Sequence, residues 1–367
     1  MGTYCLSLHA GYRCRHTGAC CTNWAVPAEP RVIDIVRTHA IRPPRRVETL
    51  FVPSADLENP GWSVARDPDG DCVFFDRGAG RLCVIHRDAG LEALPSACRH
   101  FPRKMLRDDR GTFISLSHFC PTAAALLLRS DPLDIVDALP PLRLAEPIEG
   151  MDAAGALPPL VRPGLLSGLD GYAAWERACV ATFARGDLDS RQALDLIAAA
   201  TERVRSWCPR DGPLAGAIEA AFQTPRGEDG ADLGVQARAI ETVRALAGNR
   251  LPHDFPVIDG FDAAWSDLVA PSFGPFDFGM KNYLAARVFA NWVAYQGRGL
   301  RTIVEWLRTC AAVVRYHLVG RVQETLRPIG ADDFIEAVRM ADLLLLHVID
   351  TQDFARRLAP AEGPDVT

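Results

Sequence analysis

Seven cysteines in the first third of the chain constrain its fold more than any other feature. They are Cys14, Cys20, Cys21, Cys72, Cys83, Cys98 and Cys120. Thiols this dense, in a sequence that starts without an export signal, are more typical of zinc or iron–sulfur ligands than of disulfides. The sequence therefore predicts a metal-binding framework near the N-terminus.

The charge balance and the apolar runs exclude two classes of partner. A formal net charge of −6 at pH 7 gives no basic field to neutralise phosphates, so we expect no nucleic-acid partner. The most apolar stretches, 123–128 and 343–348, are far shorter than the roughly 20 residues that cross a bilayer. The first residues also lack the basic and apolar regions of a secretory signal. We expect a cytoplasmic protein with no membrane partner.

Local patterns predict an α+β protein with two domains. Residues 1–131 are rich in Cys, Gly and Pro, which predicts a small irregular metal-binding domain. Within it, 72–83 reads as a β-hairpin with a glycine turn at 78–80, whose second strand runs to Ile85 and which would bring Cys72 and Cys83 face to face. Residues 132–163 contain two Pro-Pro pairs and are predicted to be a connection. Residues 164–367 are predicted to be helical.

The helical prediction depends on apolar residues that recur at three- and four-residue spacings. Eight helices are expected, at 172–183, 191–207, 214–222, 235–246, 261–268, 282–296, 300–324 and 332–358. Cys179, Cys208 and Cys310 lie on or beside these segments and are expected to be packing thiols.

The number of clustered cysteines bears on the kind of metal site. Four thiolates complete a tetrahedral zinc site or hold a four-iron cluster, and ligands far apart in sequence would close long loops. Cys120-Pro121 is typical of the end of a ferredoxin-type ligand run, which favours an iron–sulfur cluster. Seven cysteines exceed the four that one site needs. Spare thiolates or a second site are therefore expected, and which four bind together stays open.

The first cysteines lie in a recognisable signature. Residues 12–21 read Y-R-C-R-H-T-G-A-C-C, which resembles the F-x-C-x-x-C-G-x-C-C signature of zinc- or iron-chelating cysteine-cluster proteins. Thr17 stands where that family has its second cysteine. His16 is the candidate replacement ligand, and the alternative is a site with one thiolate fewer.

Later motifs extend the resemblance to a narrower family. C-V-I at 83–85, C-R-H-F-P-R at 98–103 and S-H-F-C-P-T-A-A at 117–124 are similar to motifs of flagellin lysine-N-methylases, as are Trp24 and N-Y-L at 282–284. Thr122 stands where that family has an acid. The resemblance implies an iron–sulfur cluster, methyl transfer from S-adenosylmethionine to a protein lysine, and flagellin as a protein partner.

The cysteine pattern and the family resemblance leave two functions open. The first is the iron–sulfur methyltransferase, and the alternative is a non-catalytic protein with a structural zinc or iron site and a helical domain that binds a partner. Arg99 and Arg103 flank a Phe-Pro turn beside the expected cluster and are candidates for binding its sulfurs or an anionic substrate. With Tyr283 they are the predicted cofactor-binding residues, and no catalytic residue is assigned. Glycine-rich nucleotide loops and the common hydrolase motifs are missing from the sequence.

Overall fold

The computed structural model describes residues 2–15, 17–18, 21–22, 26–54, 61–78, 82–138, 150–224, 235–251 and 255–358. Within these ranges the protein is mixed α/β, with small sheets in the first half and helices in the second. The expected order of small sheets followed by helices is thereby confirmed. The domain boundaries at 131 and 163 stay predictions, and the first Pro-Pro pair of the connection lies outside the described residues.

The helices of the described residues are α1 (Ser7–Ala10), α2 (Pro30–Thr38), α3 (Val84–Ala89), α4 (Ser96–His100), α5 (Pro121–Leu126), α6 (Gly168–Ala184), α7 (Ser190–Arg205), α8 (Leu214–Gln223), α9 (Val235–Ala247), α10 (Phe261–Ala264), α11 (Ala270–Phe273), α12 (Asp277–Val288), α13 (Val293–Gln296), α14 (Leu300–Thr325), α15 (Ala331–Leu343) and α16 (Thr351–Leu358). None of them is both long enough and apolar enough to cross a bilayer.

The strands of the described residues are β1 (Gly2–Leu6), β2 (Phe51–Pro53), β3 (Trp62–Val64), β4 (Phe75–Asp76), β5 (Leu82–Cys83), β6 (Arg103–Asp108), β7 (Gly111–Leu116), β8 (Ile135–Asp137), β9 (Gly150–Asp152), β10 (Leu160–Arg162) and β11 (Leu165–Leu166). Five of them form the main sheet in the order β8-β1-β7-β6-β9. The pairs β2-β3, β4-β5 and β10-β11 form separate two-stranded sheets.

The main sheet is built on the β6-β7 hairpin. Asp108 pairs with Gly111 across a two-residue turn, and β1 then adds to β7 in parallel. Leu106 and Phe113 project from this hairpin into one continuous core that also contains Tyr172 and Phe289 of the helical half. The end of β7 lies against α12, since Ser115 donates to the carbonyl oxygen of Ala286 at 3.2 Å and Arg287 donates to that of Leu116 at 2.7 Å.

The predicted hairpin at 72–83 is present but has a different register. Phe75 pairs with Cys83, so Cys72 does not lie opposite Cys83 and that expectation is wrong. The second strand ends at Cys83 because α3 begins at Val84, and it does not reach Ile85. Cys72 instead forms an antiparallel bridge with Arg66. Residues 79 and 80 of the predicted turn lie outside the described residues.

Two of the eight predicted helices are interrupted. The helix expected at 282–296 stops at Val288 and resumes at Val293, and Ala290 between them has a φ of 53°. The backbone N–H of Ala290 donates to the buried Glu176 carboxylate at 3.1 Å, a tertiary contact that holds the break. The helix expected at 332–358 contains a π-helical stretch at Leu344–Val348 and a break before α16. The apolar periodicity did not predict either interruption.

Candidate metal centre and adjoining pocket

Four of the predicted ligands lie around one small apolar core. Cys72, Cys83 and Cys98 all pack against the core cluster that contains Phe74. Cys21 joins them because the backbone N–H of Cys72 donates to its carbonyl oxygen at 2.7 Å. We refer to Cys21, Cys72, Cys83 and Cys98 as the Cys21 group.

Gly18 explains how the chain reaches the Cys21 group. Its φ of 78° lies in the left-handed region that favours glycine, and its carbonyl accepts the N–H of Cys21 at 2.8 Å. A β-carbon at this position would lie 2.1 Å from Cζ of Phe75, so only glycine lets the segment approach the β4-β5 hairpin. The glycine of the signature therefore has a direct structural reason.

Arg66 lies beside two thiols of this group. Partial burial lowers the pKa of its guanidinium, while the charges of Cys72 and Cys21 act in the opposite direction. A cation next to a thiol stabilises the thiolate, which is the form that binds metal. Both cysteines thus have a cation within electrostatic reach, and their role as metal ligands stays a prediction.

Cys14 and Cys120 both lie near Tyr12, and we refer to these two cysteines as the Cys14 group. The hydroxyl oxygen of Tyr12 is 3.6 Å from Sγ of Cys120. Burial raises the pKa of Tyr12 far above its ordinary value, and the charges of Cys120 and Cys14 raise it further while Arg103 opposes them. Cys120 directly precedes α5, and Pro121 occupies the first helical position, where proline's fixed φ suits a helix start.

The predicted cysteine ligands that the structure describes thus lie near Phe74 or near Tyr12, and their donor chemistry suits zinc or iron. Among the described residues, no three His, Cys, Asp or Glu side chains are placed to hold a metal ion together. The predicted ligands Cys20 and His16 lie outside the described residues, as does Trp24. The described side chains fit a thiolate-bound metal in type but do not complete its coordination sphere, and the ligand assignments stay predictions.

The predicted cofactor-binding residues lie in three different surroundings. Arg99 donates to the exposed Glu92 carboxylate at 3.0 Å. The guanidinium carbon of Arg103 lies 5.8 Å from the ring centre of Tyr12, next to the Cys14 group. Tyr283 is fully buried, and its hydroxyl donates to Asp342 at 2.9 Å. The structure therefore brings Arg103 to the Cys14 group, and the cofactor role of all three residues stays a prediction.

The sequence did not predict a buried hydrogen-bond network around the carboxylate of Asp342. Asp342 of α15 is fully buried and accepts hydrogen bonds from the backbone N–H of His118 at 2.5 Å and from Tyr283. Nη1 of Arg287 lies 3.5 Å from Oδ1 of Asp342, the oxygen that accepts from Tyr283. Burial opposes ionisation, but the charge of Arg287 and the hydrogen bonds from His118 outweigh it and lower the pKa of Asp342 to about 2. An aspartate inside the apolar run M-A-D-L-L-L-L was the available signal.

Two histidines extend this network. Nε2 of His9 lies 3.2 Å from Nε2 of His118, and Nδ1 of His118 lies 3.2 Å from Asp342. Burial lowers the pKa of both imidazoles, so both are neutral at pH 7. The carboxylate favours the proton on Nδ1 of His118, which leaves Nε2 of His118 to accept from His9. The network connects α1, the end of β7, α12 and α15.

A pocket of about 250 Å³ opens beside the Phe101-Pro102 turn. We call it the Lys104 pocket, and its lining residues include His100, Arg103, Lys104, Ser117, Trp292 and His347. Nζ of Lys104 lies 3.8 Å from the ring centre of Trp292, and Oγ of Ser117 lies 2.8 Å from Nε2 of His347. Sequence reasoning identified Arg103 but missed Lys104 and His347.

A larger cavity lies in the helical half. It has a volume of about 890 Å³ and is lined by Trp265, Phe273 and Arg315 among others. The ring of Trp265 packs on the guanidinium of Arg315, 5.0 Å away, and Trp265 begins a π-helical stretch. This size is within the range of small-molecule sites.

One comparison with known proteins finds a match in the cysteine-rich part of the chain. Residues 13–121 match the model of the CxxCxxCC family, which is described as a zinc- or iron-chelating domain. No curated protein and no solved structure shows a significant match to the chain. The matched segment contains both cysteine groups together with Cys20 and His16. Residues 13–121 are therefore similar to a zinc- or iron-chelating domain, which supports a metal cofactor.

Proposed function

We propose that the protein binds zinc or iron through the thiolates of its first 121 residues, with Cys21 and Cys72 as the central ligands. The observation that carries this proposal is the backbone hydrogen bond between these two residues, which are distant in sequence, next to the guanidinium of Arg66. Similarity of residues 13–121 to a zinc- or iron-chelating domain supports the same function.

The metal we propose is an iron–sulfur cluster, with zinc as the alternative. Thiolate ligands suit both, and the Cys120-Pro121 step at the start of α5 favours the cluster. We also propose that adjacent Cys20 and Cys21 serve different metal-binding places. When bound, either metal would tie α4 and the β4-β5 hairpin to the N-terminal segment.

Cysteine variants test the ligand assignment. We expect Cys72→Ala and Cys98→Ala each to lose most of the bound metal, measured as the metal-to-protein ratio of the folded fraction after gel filtration. Cys310→Ala is the matched control, because Cys310 is fully buried in the helical core, and it should keep its metal. Full metal retention in Cys72→Ala would refute the assignment even if its stability were reduced.

We further propose that the metal site serves methyl transfer from S-adenosylmethionine to a protein lysine. The resemblance to flagellin lysine-N-methylases supports this step, and the Lys104 pocket adds a cavity beside Arg103, on which the charge of Cys14 acts. The methyl group would leave the sulfonium sulfur for the lysine nitrogen, which loses a proton, and S-adenosylhomocysteine would remain.

Labelled S-adenosylmethionine distinguishes this enzyme from the structural alternative. The enzyme should bind it in equilibrium dialysis and transfer label to purified flagellin, and Cys72→Ala should transfer none. Binding of zinc without any binding of S-adenosylmethionine would favour the alternative, a structural metal site with a helical partner-binding domain. The 890 Å³ cavity between the helices supports that alternative.

A further inference from the structure

The Lys104 pocket combines positive charge with a lack of carboxylates. Among the described residues that line it are Arg103 and Lys104 and two imidazoles, His100 and His347, and no Asp or Glu. The rest of its wall is formed by aromatic rings, small residues and the hydroxyl of Ser117. A pocket of this composition is suited to a negatively charged group.

Lys104 is one of only two lysines in the 367-residue sequence. The other, Lys281, is buried and donates to the carbonyl oxygens of Arg185 at 2.6 Å and Leu188 at 2.8 Å, so its ammonium has polar partners. Lys104 packs on the face of Trp292 and forms no ion pair within the described part of the chain. The ammonium of Lys281 is therefore compensated by two carbonyl oxygens, whereas that of Lys104 lies on an aromatic ring.

The charged groups around Lys104 do not neutralise it. Burial lowers its pKa to about 8, and the positive charge of Arg287 on α12 acts in the same direction. Asp342 on α15 opposes this shift, but its oxygens already accept from His118 and Tyr283. Burial and the charge of Lys104 also lower the pKa of His347, to about 4. An anion placed in the pocket would reverse both shifts.

We propose that the Lys104 pocket is a binding site for an oxyanion, either a phosphate group or the carboxylate of a small ligand. The ammonium of Lys104 would supply the positive charge that attracts the anion. The hydroxyl of Ser117, which lines the pocket beside His347, would donate a hydrogen bond to it. The volume of about 250 Å³ suits a single small anion or the acidic end of a larger ligand. This site goes beyond the proposed metal function, since none of these groups is a predicted metal ligand.

Calorimetric titration with inorganic phosphate and with acetate tests the proposal. Wild-type protein should bind at least one of them, and Lys104→Met, which keeps a side chain over Trp292 but removes the charge, should weaken binding at least tenfold. Arg177→Met is the control, because Arg177 is exposed on α6, and it should bind like wild type. Tighter binding of phosphate assigns a phosphate group, and tighter binding of acetate assigns a carboxylate. Equal binding by wild type and Lys104→Met, or no binding of either anion, would overturn the proposal.

The two-lysine sequence offers a second, independent readout. Acetic anhydride can label only Lys104, Lys281 and the N-terminal amine among the amines of this chain, and peptide mass spectrometry separates them. The saturating anion should slow labelling of Lys104 at least fivefold and leave Lys281 unchanged. An unchanged Lys104 labelling rate at saturation would contradict a site at this pocket. Neither the calorimetric titration nor the labelling rate depends on bound metal. The anion proposal can therefore be overturned while the metal proposal holds.

Discussion

Replacement of Asp342 by asparagine tests the buried network that connects the sheet to the helices. Asp342→Asn preserves the shape of the side chain but removes its charge. One oxygen remains to accept the backbone N–H of His118, whereas Tyr283 and Arg287 lose their negatively charged partner. The guanidinium of Arg287 would then stay buried without its carboxylate.

The expected loss of stability follows from the buried pair. Removing one partner of a buried ion pair costs about 3–5 kcal/mol, because the other charge stays buried. Asparagine retains one of the hydrogen bonds, so we expect the lower end, about 3 kcal/mol. The lowering of the Asp342 pKa from an ordinary 3.8 to about 2 corresponds to roughly 2 kcal/mol, which agrees in size. Because the folded-state pKa is depressed, this contribution is present above pH 4 and is lost as the pH falls toward 2.

Urea unfolding at pH 7, followed by far-ultraviolet circular dichroism, measures this free energy. Asp332→Asn is the matched control, because Asp332 is exposed in the first turn of the same helix. We expect the control to lose less than about 0.5 kcal/mol. A loss below about 1 kcal/mol for Asp342→Asn would refute the view that this network holds the sheet to α15.

Two further predictions concern backbone geometry and pH. Gly18→Ala should lower the free energy of unfolding by about 2 kcal/mol in urea titrations, because the φ of Gly18 is 78° and the new methyl would lie 2.1 Å from Phe75. Gly186→Ala is the control, because a β-carbon there has no neighbour within 4 Å. Equal losses of stability in the two variants would contradict the packing of Gly18 against Phe75. Burial lowers the pKa of His347 to about 4, so stability should fall as the pH decreases from about 6.5 toward 4, while the unfolded chain takes up the proton. His347→Gln should show a shallower decrease between pH 7 and 4.5, and an identical slope would count against this origin.

The metal chemistry was predictable from sequence because ligand types are properties of single residues. Cysteine spacing identified the metal-binding segment, and residues 13–121 match a zinc- or iron-chelating domain. The grouping of the thiols was not predictable, because it depends on tertiary contacts. Cys21 meets Cys72 through a backbone hydrogen bond, and the hairpin register places Phe75, not Cys72, opposite Cys83.

The helical half shows the same division between local and tertiary information. Apolar periodicity predicted most helices correctly, since each buries one face in the common core. It missed the break after Val288, because the carboxylate that accepts from Ala290 belongs to Glu176 on another helix. It also gave no role to Asp342 or Lys104, whose properties depend on neighbours from several elements.

The most direct test of metal binding is the iron, acid-labile sulfide and zinc content of anaerobically purified protein, with visible spectra before and after dithionite. We expect stoichiometric metal in the wild type and a strong loss in Cys72→Ala. Matched iron and sulfide with a colour that bleaches on reduction would identify the cluster, and stoichiometric zinc without colour would identify the structural site. Wild-type protein that is folded but contains neither iron nor zinc would contradict the proposal that the protein binds metal through its thiolates.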